Sequence, residues 1–136
     1  MPGTRTTGHF TAADWKEHPV TPADDSPRVA RASVTNTFTG SIEAAGTVCE
    51  YVITYLPGGT GTFTGTELLT GRLDGRDGTF AVEERGRFDP DGTVHCAFEV
   101  IAGSGTGELA ALRGTGEFTA RHGEAEVAYA FTYELG

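Results

Sequence analysis

Two glutamates stand where strand alternation turns polar side chains toward an apolar interior. In residues 80 to 88, Phe80, Val82, Glu84, Gly86 and Phe88 fall on one face, with Glu83, Arg85 and Arg87 on the other. In residues 63 to 69, Phe63, Gly65, Glu67 and Leu69 share a face opposite Thr62, Thr64, Thr66 and Leu68. An inward carboxylate is costly unless it is paired, hydrogen-bonded, solvated in a cavity or protonated. Donors are at hand in "CEYVITY", where Tyr51 and Tyr55 share a face with Cys49 and Ile53. The last segment supplies Tyr133, in phase with Val127, Tyr129 and Phe131. A carboxyl group whose pKa is raised by apolar walls moves protons at neutral pH, and a tyrosine hydroxyl steadies an enolate or alkoxide. Glu84 and Glu67 are thus the acid/base candidates, and Tyr51, Tyr55 and Tyr133 the groups that orient a polar substituent. Phe80 and Phe98 supply apolar lining. The structural alternative is that both glutamates only bond backbone or tyrosine groups near a barrel end.

Other chemistries find little support. "AGSGTGELAALRG", residues 102–114, has a G-x-G-x-G spacing rather than the dinucleotide-binding G-x-G-x-x-G, and Gly114 cuts the following segment short of a useful helix. Its glycines suit a strand leaving a barrel, with Leu109 and Leu112 folding back as a plug or gate over one end. His9, His18, His95 and His122 lack metal-ligand spacing, so neither a metal nor any cofactor is expected. Cys49 and Cys96 read as buried free thiols. No serine has a nucleophile-elbow context. Trp15 reads as an anchor packed over a barrel end.

The elements that must position these residues are strands. Twenty glycines and eight phenylalanines, with almost no helical periodicity, indicate an all-β chain of 136 residues in one domain. Strands are expected near 7–13, 29–38, 41–55 (with room for a bulge), 61–71, 78–88, 93–101, 115–121 and 125–135. Short turns such as "PGGTG", "DGRDG" and "DPDG" make the chain a meander. Residues 16–28, with Pro19, Pro22 and Pro27, are expected as an exposed loop rich in proline and acids. Eight meandering strands hide their edges most economically by closing, so the expected fold is a single eight-stranded antiparallel β-barrel.

"RASVTNTFTGSIEAAGTVCEYVITY", "FTGTELLTGRLDGRDGTFAVEERGRF" and "GSGTGELAALRGTGEF", with "DWKEHP" and "YELG" near the ends, resemble the bacterial DUF3224 family over nearly the whole chain. The resemblance implies an allene oxide cyclase-like barrel. It implies no activity, because a fold shared with an enzyme supports function only by analogy. In many members it implies a histidine where Glu84 stands, so no histidine-based role carries over.

Nineteen acids against ten Lys and Arg give a charge of −9, which disfavours nucleic acid and anionic membranes as partners. No segment reads as a signal peptide or membrane helix, so a cytoplasmic location is expected. The functional expectation is an apolar small molecule bound inside the barrel, with cofactor-independent cyclisation or isomerisation as the catalytic reading. A non-catalytic binding or scaffold barrel filled by its own side chains is the rival. Apolar residues on the outer face would serve homo-oligomer formation.

Overall fold

A computed structural model describes residues 3–136. The strands are β1 (Thr4–Pro19), β2 (Arg28–Gly40), β3 (Ile42–Tyr55), β4 (Gly61–Leu73), β5 (Arg76–Phe88), β6 (Val94–Val100), β7 (Leu112–Ala120) and β8 (Val127–Leu135). Each pairs antiparallel with the next, and β8 pairs with β1, so the sheet closes into an eight-stranded barrel with no free edge. Alternation produces this directly. In β8, Val127, Tyr129, Phe131 and Tyr133 are buried while Ala128, Thr132 and Glu134 are exposed.

Two bulges change which residues point inward. Between Ala13 and Lys16 two residues of β1 oppose one of β2, and Asp14 takes a φ of 59°. The inward phase therefore passes from Phe10 and Ala12 to Trp15 and Glu17. In β3, Ala45 and Gly46 together oppose Thr37, with Gly46 at φ 67°. The buried phase there passes from Ile42 and Ala44 to Thr47 and Cys49.

The first bulge corrects the expected loop at 16–28. Once rephased, Lys16–Pro19 pair with Ala30–Ser33, and the excursion shrinks to residues 20–27. Pro19 ends its strand, where a missing N–H breaks no ladder bond.

The glycines have a second use inside the barrel. Tyr51 lies over Gly65, Phe63 over Gly86, Phe98 over Gly116 and Tyr129 over Gly8, each ring covering its register partner on the neighbouring strand. A Cβ at any of these glycines would occupy the space of the ring. Aromatic rings covering glycines let a small barrel curve tightly without leaving voids.

The two ends differ. At the lower end, Ile42, Leu69, Leu73, Leu109, Leu112, Phe131 and Tyr133 form a packed core. The segment 102–111 closes it with a single 3-10 turn, Gly107–Leu109, held by the Thr106 amide donating to the Thr79 carbonyl at 2.9 Å. Leu109 and Leu112 do fold over one end, but Leu112 already stands in β7. At the upper end the barrel is open.

Candidate functional site

The open end leads into a vestibule of about 370 Å³. Its walls are Phe10, Ala12, Trp15, Val34, Tyr51, Ile53, Tyr55, Phe63, Phe88, Val94, Phe118, Ala120 and Val127, with Asn36 the one amide side chain among them. Below it lies a void of about 20 Å³, lined by Glu67 and Glu84 together with Phe38, Leu69, Phe80, Val82, Phe98 and Tyr129. That is room for about one water molecule. Phe10, Asn36, Tyr51 and Phe118 border both spaces, so the void forms the floor of the vestibule.

The floor is a compact polar cluster. Gly65 pairs with Glu84 and Val82 with Glu67, so the two glutamates stand on one diagonal of adjacent strands. Their carboxyl oxygens and the Cys49 thiol lie within 4.8 Å of one another. Glu84 accepts from the Tyr51 hydroxyl at 2.9 Å, and from the thiols of Cys49 and Cys96 at 3.6 Å each. Glu67 accepts from Asn36 Nδ2 at 2.9 Å and from the Thr47 hydroxyl at 2.5 Å. Asn36 Oδ1 has no partner.

Burial and charge act together on this cluster. Burial first, then the neighbouring Glu84, raises the Glu67 carboxyl to about 8, against a usual value of 4.5; the bonds from Thr47 and Asn36 pull the other way. Burial followed by the charge of Glu84 pushes both the Cys49 and Cys96 thiols upward. Two carboxylates this close repel one another, which adds to burial in favouring the protonated form of Glu67.

A second network sits at the mouth. Glu17 accepts from Tyr55 Oη at 2.6 Å and from Trp15 Nε1 at 3.1 Å, while the Arg28 guanidinium lies 3.9 Å from the centre of the Tyr55 ring. Burial and Glu17 raise the Tyr55 hydroxyl to about 12. The anchor role expected for Trp15 is replaced by a place on the rim. Its ring is 52 % exposed and 6.2 Å from that of Tyr51.

This closed meander with a sealed lower end and a 102–111 closing loop can be set against known proteins. The family model described as "Protein of unknown function (DUF3224)" matches residues 6–133. The chain belongs to the DUF3224 family. A crystal structure of a DUF3224 protein of unknown function from Shewanella oneidensis MR-1 is 28% identical, with 98% of each chain covered and a TM-score of 0.76. No functionally curated protein matches. Among the described residues no helix is long and apolar enough to cross a membrane.

Within this DUF3224 barrel, Glu67, Glu84 and Tyr51 meet at the floor, and Phe80 and Phe98 line the void beside them. Tyr55 is at the mouth. The remaining three expected binding residues lie elsewhere. Tyr133 bonds Asp74 at the closed end, and Leu109 and Leu112 are buried there, away from both spaces. Strand parity reports in or out, not depth along the axis, so parity alone puts Tyr133 with Tyr51 and Tyr55, while Leu109 and Leu112 take the end that the plug reading gives them rather than the mouth. Asn36, Thr47 and Glu17 were not singled out. Asn36 follows Ala30, Ala32 and Val34 in phase, and Thr47 precedes Cys49, Tyr51 and Ile53 in phase, so both are legible from alternation, whereas Glu17 points inward only because of the bulge at Asp14. Cys49, Glu67 and Glu84 also form a thiol and dicarboxylate set of the kind that holds a cation. No metal was expected from the histidine spacing, and this set contains no histidine.

Proposed function

We propose that this DUF3224 protein binds an apolar small molecule in the vestibule and moves a proton on it through the Glu67–Glu84 pair. The observation that carries the reading is the placement of two carboxyl groups, with Tyr51, at the floor of an aromatic cavity of about 370 Å³. Cavities of this size and lining are typical of small-molecule sites. One carboxylate of the pair takes a proton from carbon beside a carbonyl, and the protonated partner returns one at a second position. The net reaction is an isomerisation or cyclisation that consumes no cofactor. Two free buried thiols, Cys49 and Cys96, suit a reducing, cytoplasmic setting.

The rival is a binding barrel without catalysis. It draws on the packed lower half and on the small volume beside the carboxyl groups. The deciding experiment is a screen of polyketide- and lipid-like compounds by thermal shift, followed by solvent deuterium incorporation into any ligand found. Incorporation that is lost in Glu84→Gln and Glu67→Gln supports proton transfer. Binding with no exchange supports the rival, and turnover that survives both substitutions excludes these carboxyls as the catalytic groups.

A further inference from the structure

Apart from the carboxyl proton of Glu67, the floor of the vestibule has acceptors and no free donors. The Tyr51 hydroxyl and both thiols are spent on Glu84, and Asn36 Nδ2 and the Thr47 hydroxyl on Glu67. Among the described residues, Asn36 Oδ1 is the one buried side-chain polar atom left without a hydrogen bond, although Asn36 is only 3 % exposed. Asn36 is among the residues that line both the vestibule and the void. An orphaned acceptor in a dry setting is destabilising, and a bound donor would satisfy it.

Charge points the same way. No Lys, Arg or His lines either space. The two carboxyl groups at the floor thus stand with no counter-cation in the site, inside a chain of net charge −9. An anionic ligand would add to that charge. The walls above are aromatic, and Trp15, Tyr51 and Phe63 present ring surface that favours cations.

Resting on the reading of the vestibule as a ligand site, we infer that its ligand is a lipophilic amine: an apolar body in the aromatic upper part, with a protonated nitrogen set down against Asn36 Oδ1 and the carboxyl pair. The ammonium supplies at once the donor that Asn36 lacks and the positive charge that the pair lacks.

The test compares 2-cyclohexylethylamine with two near-isosteres, 2-cyclohexylethanol and 3-cyclohexylpropanoate. Binding is followed by calorimetry and by the fluorescence of Trp15, the only tryptophan and a wall of the vestibule. The amine is expected to bind at least about tenfold more tightly than the alcohol, and the propanoate not at all. Asn36→Leu, and the paired substitution Glu67→Gln with Glu84→Gln, should each remove most of the amine's advantage over the alcohol. The paired Glu67→Gln and Glu84→Gln substitution keeps both side-chain shapes, removes the charge and carries the test alone if Asn36→Leu does not fold. An alcohol or propanoate that binds as tightly as the amine overturns the cationic class and leaves the vestibule reading intact. Failure of all three to bind or to perturb Trp15 overturns the vestibule reading with it.

Discussion

The ring of Tyr51 lies flat over Gly65, its register partner on β4, so closely that a Cβ on Gly65 would stand 2.5 Å from the ring and 2.9 Å from the Glu50 carbonyl oxygen. The same placement carries the Tyr51 hydroxyl to Glu84. A backbone position with no side chain of its own thus sets the reach of a tyrosine into the carboxyl cluster.

Gly65→Ala is therefore expected to destabilise the barrel by about 1–3 kcal/mol, as overpacking does. It should also shift the Tyr51 ring signals in NMR. Tyr51→Phe keeps the ring and removes only the hydroxyl, so it should leave the ring seated over Gly65. Unchanged stability in Gly65→Ala would show that the contact is not tight.

Stability should depend on pH through Glu67. Its folded pKa of about 8 lies above the usual 4.5 because of burial and Glu84, so the folded state holds the proton over a range in which the unfolded chain has lost it. The contribution is complete below about 4.5, falls as the pH rises and levels off above about 8, with a slope of at most about 1.4 kcal/mol per pH unit. Urea unfolding between about pH 5 and about pH 9 measures this slope. Glu67→Gln should flatten it, and an equally steep profile in that variant would assign the titration to another group.

Thr47→Val removes the 2.5 Å bond to Glu67 and the 3.3 Å bond to the Asn36 carbonyl. Because the first of these favours the ionised carboxylate, the pH at which Glu67 titrates should move still higher. At neutral pH the variant should lose about 1–3 kcal/mol. Carbon-13 chemical shifts of the Glu67 carboxyl report the titration directly.

Leu109→Ala should cost about 2–5 kcal/mol by opening a cavity at the closed end. It should leave vestibule ligands unaffected. An altered ligand affinity at constant temperature would restore Leu109 as a gate.

Cys49 and Cys96 should resist thiol reagents in the folded protein and react fully once it is unfolded. Both are buried, and burial with the charge of Glu84 holds the thiols protonated. Rapid labelling of either cysteine under native conditions would mean that the floor opens to solvent.

The strands and their inner faces were legible in the chain, because alternation in β4, β5 and β8 is regular and the turns are rich in glycine and aspartate. Glu67 and Glu84 could be placed inside on that basis alone. Two kinds of information were not. Parity is silent on depth, so Tyr133 was grouped with Tyr51 although it stands at the packed end. Bulges at Asp14 and Gly46 reset the phase: Trp15 and Glu17 take their orientation from the first, and Ile42 and Ala44 are out of phase with Thr47 and Cys49 because of the second. A bulge is decided by how two strands must register across a closed barrel, a constraint distributed over the whole sheet. The donors around the carboxyl pair come from strands β2, β3 and β6 and meet only when the barrel closes.

The sealed lower end makes the interior a blind alley. A molecule that enters must leave through the mouth by which it came, and it meets the carboxyl pair only with its leading end. Its trailing end stays beside Trp15, Tyr55 and the turn containing Gly92. In the proposed ligand-binding role, recognition is thereby divided along the axis: the buried strands meet the head of a ligand, and the residues at the rim meet its tail.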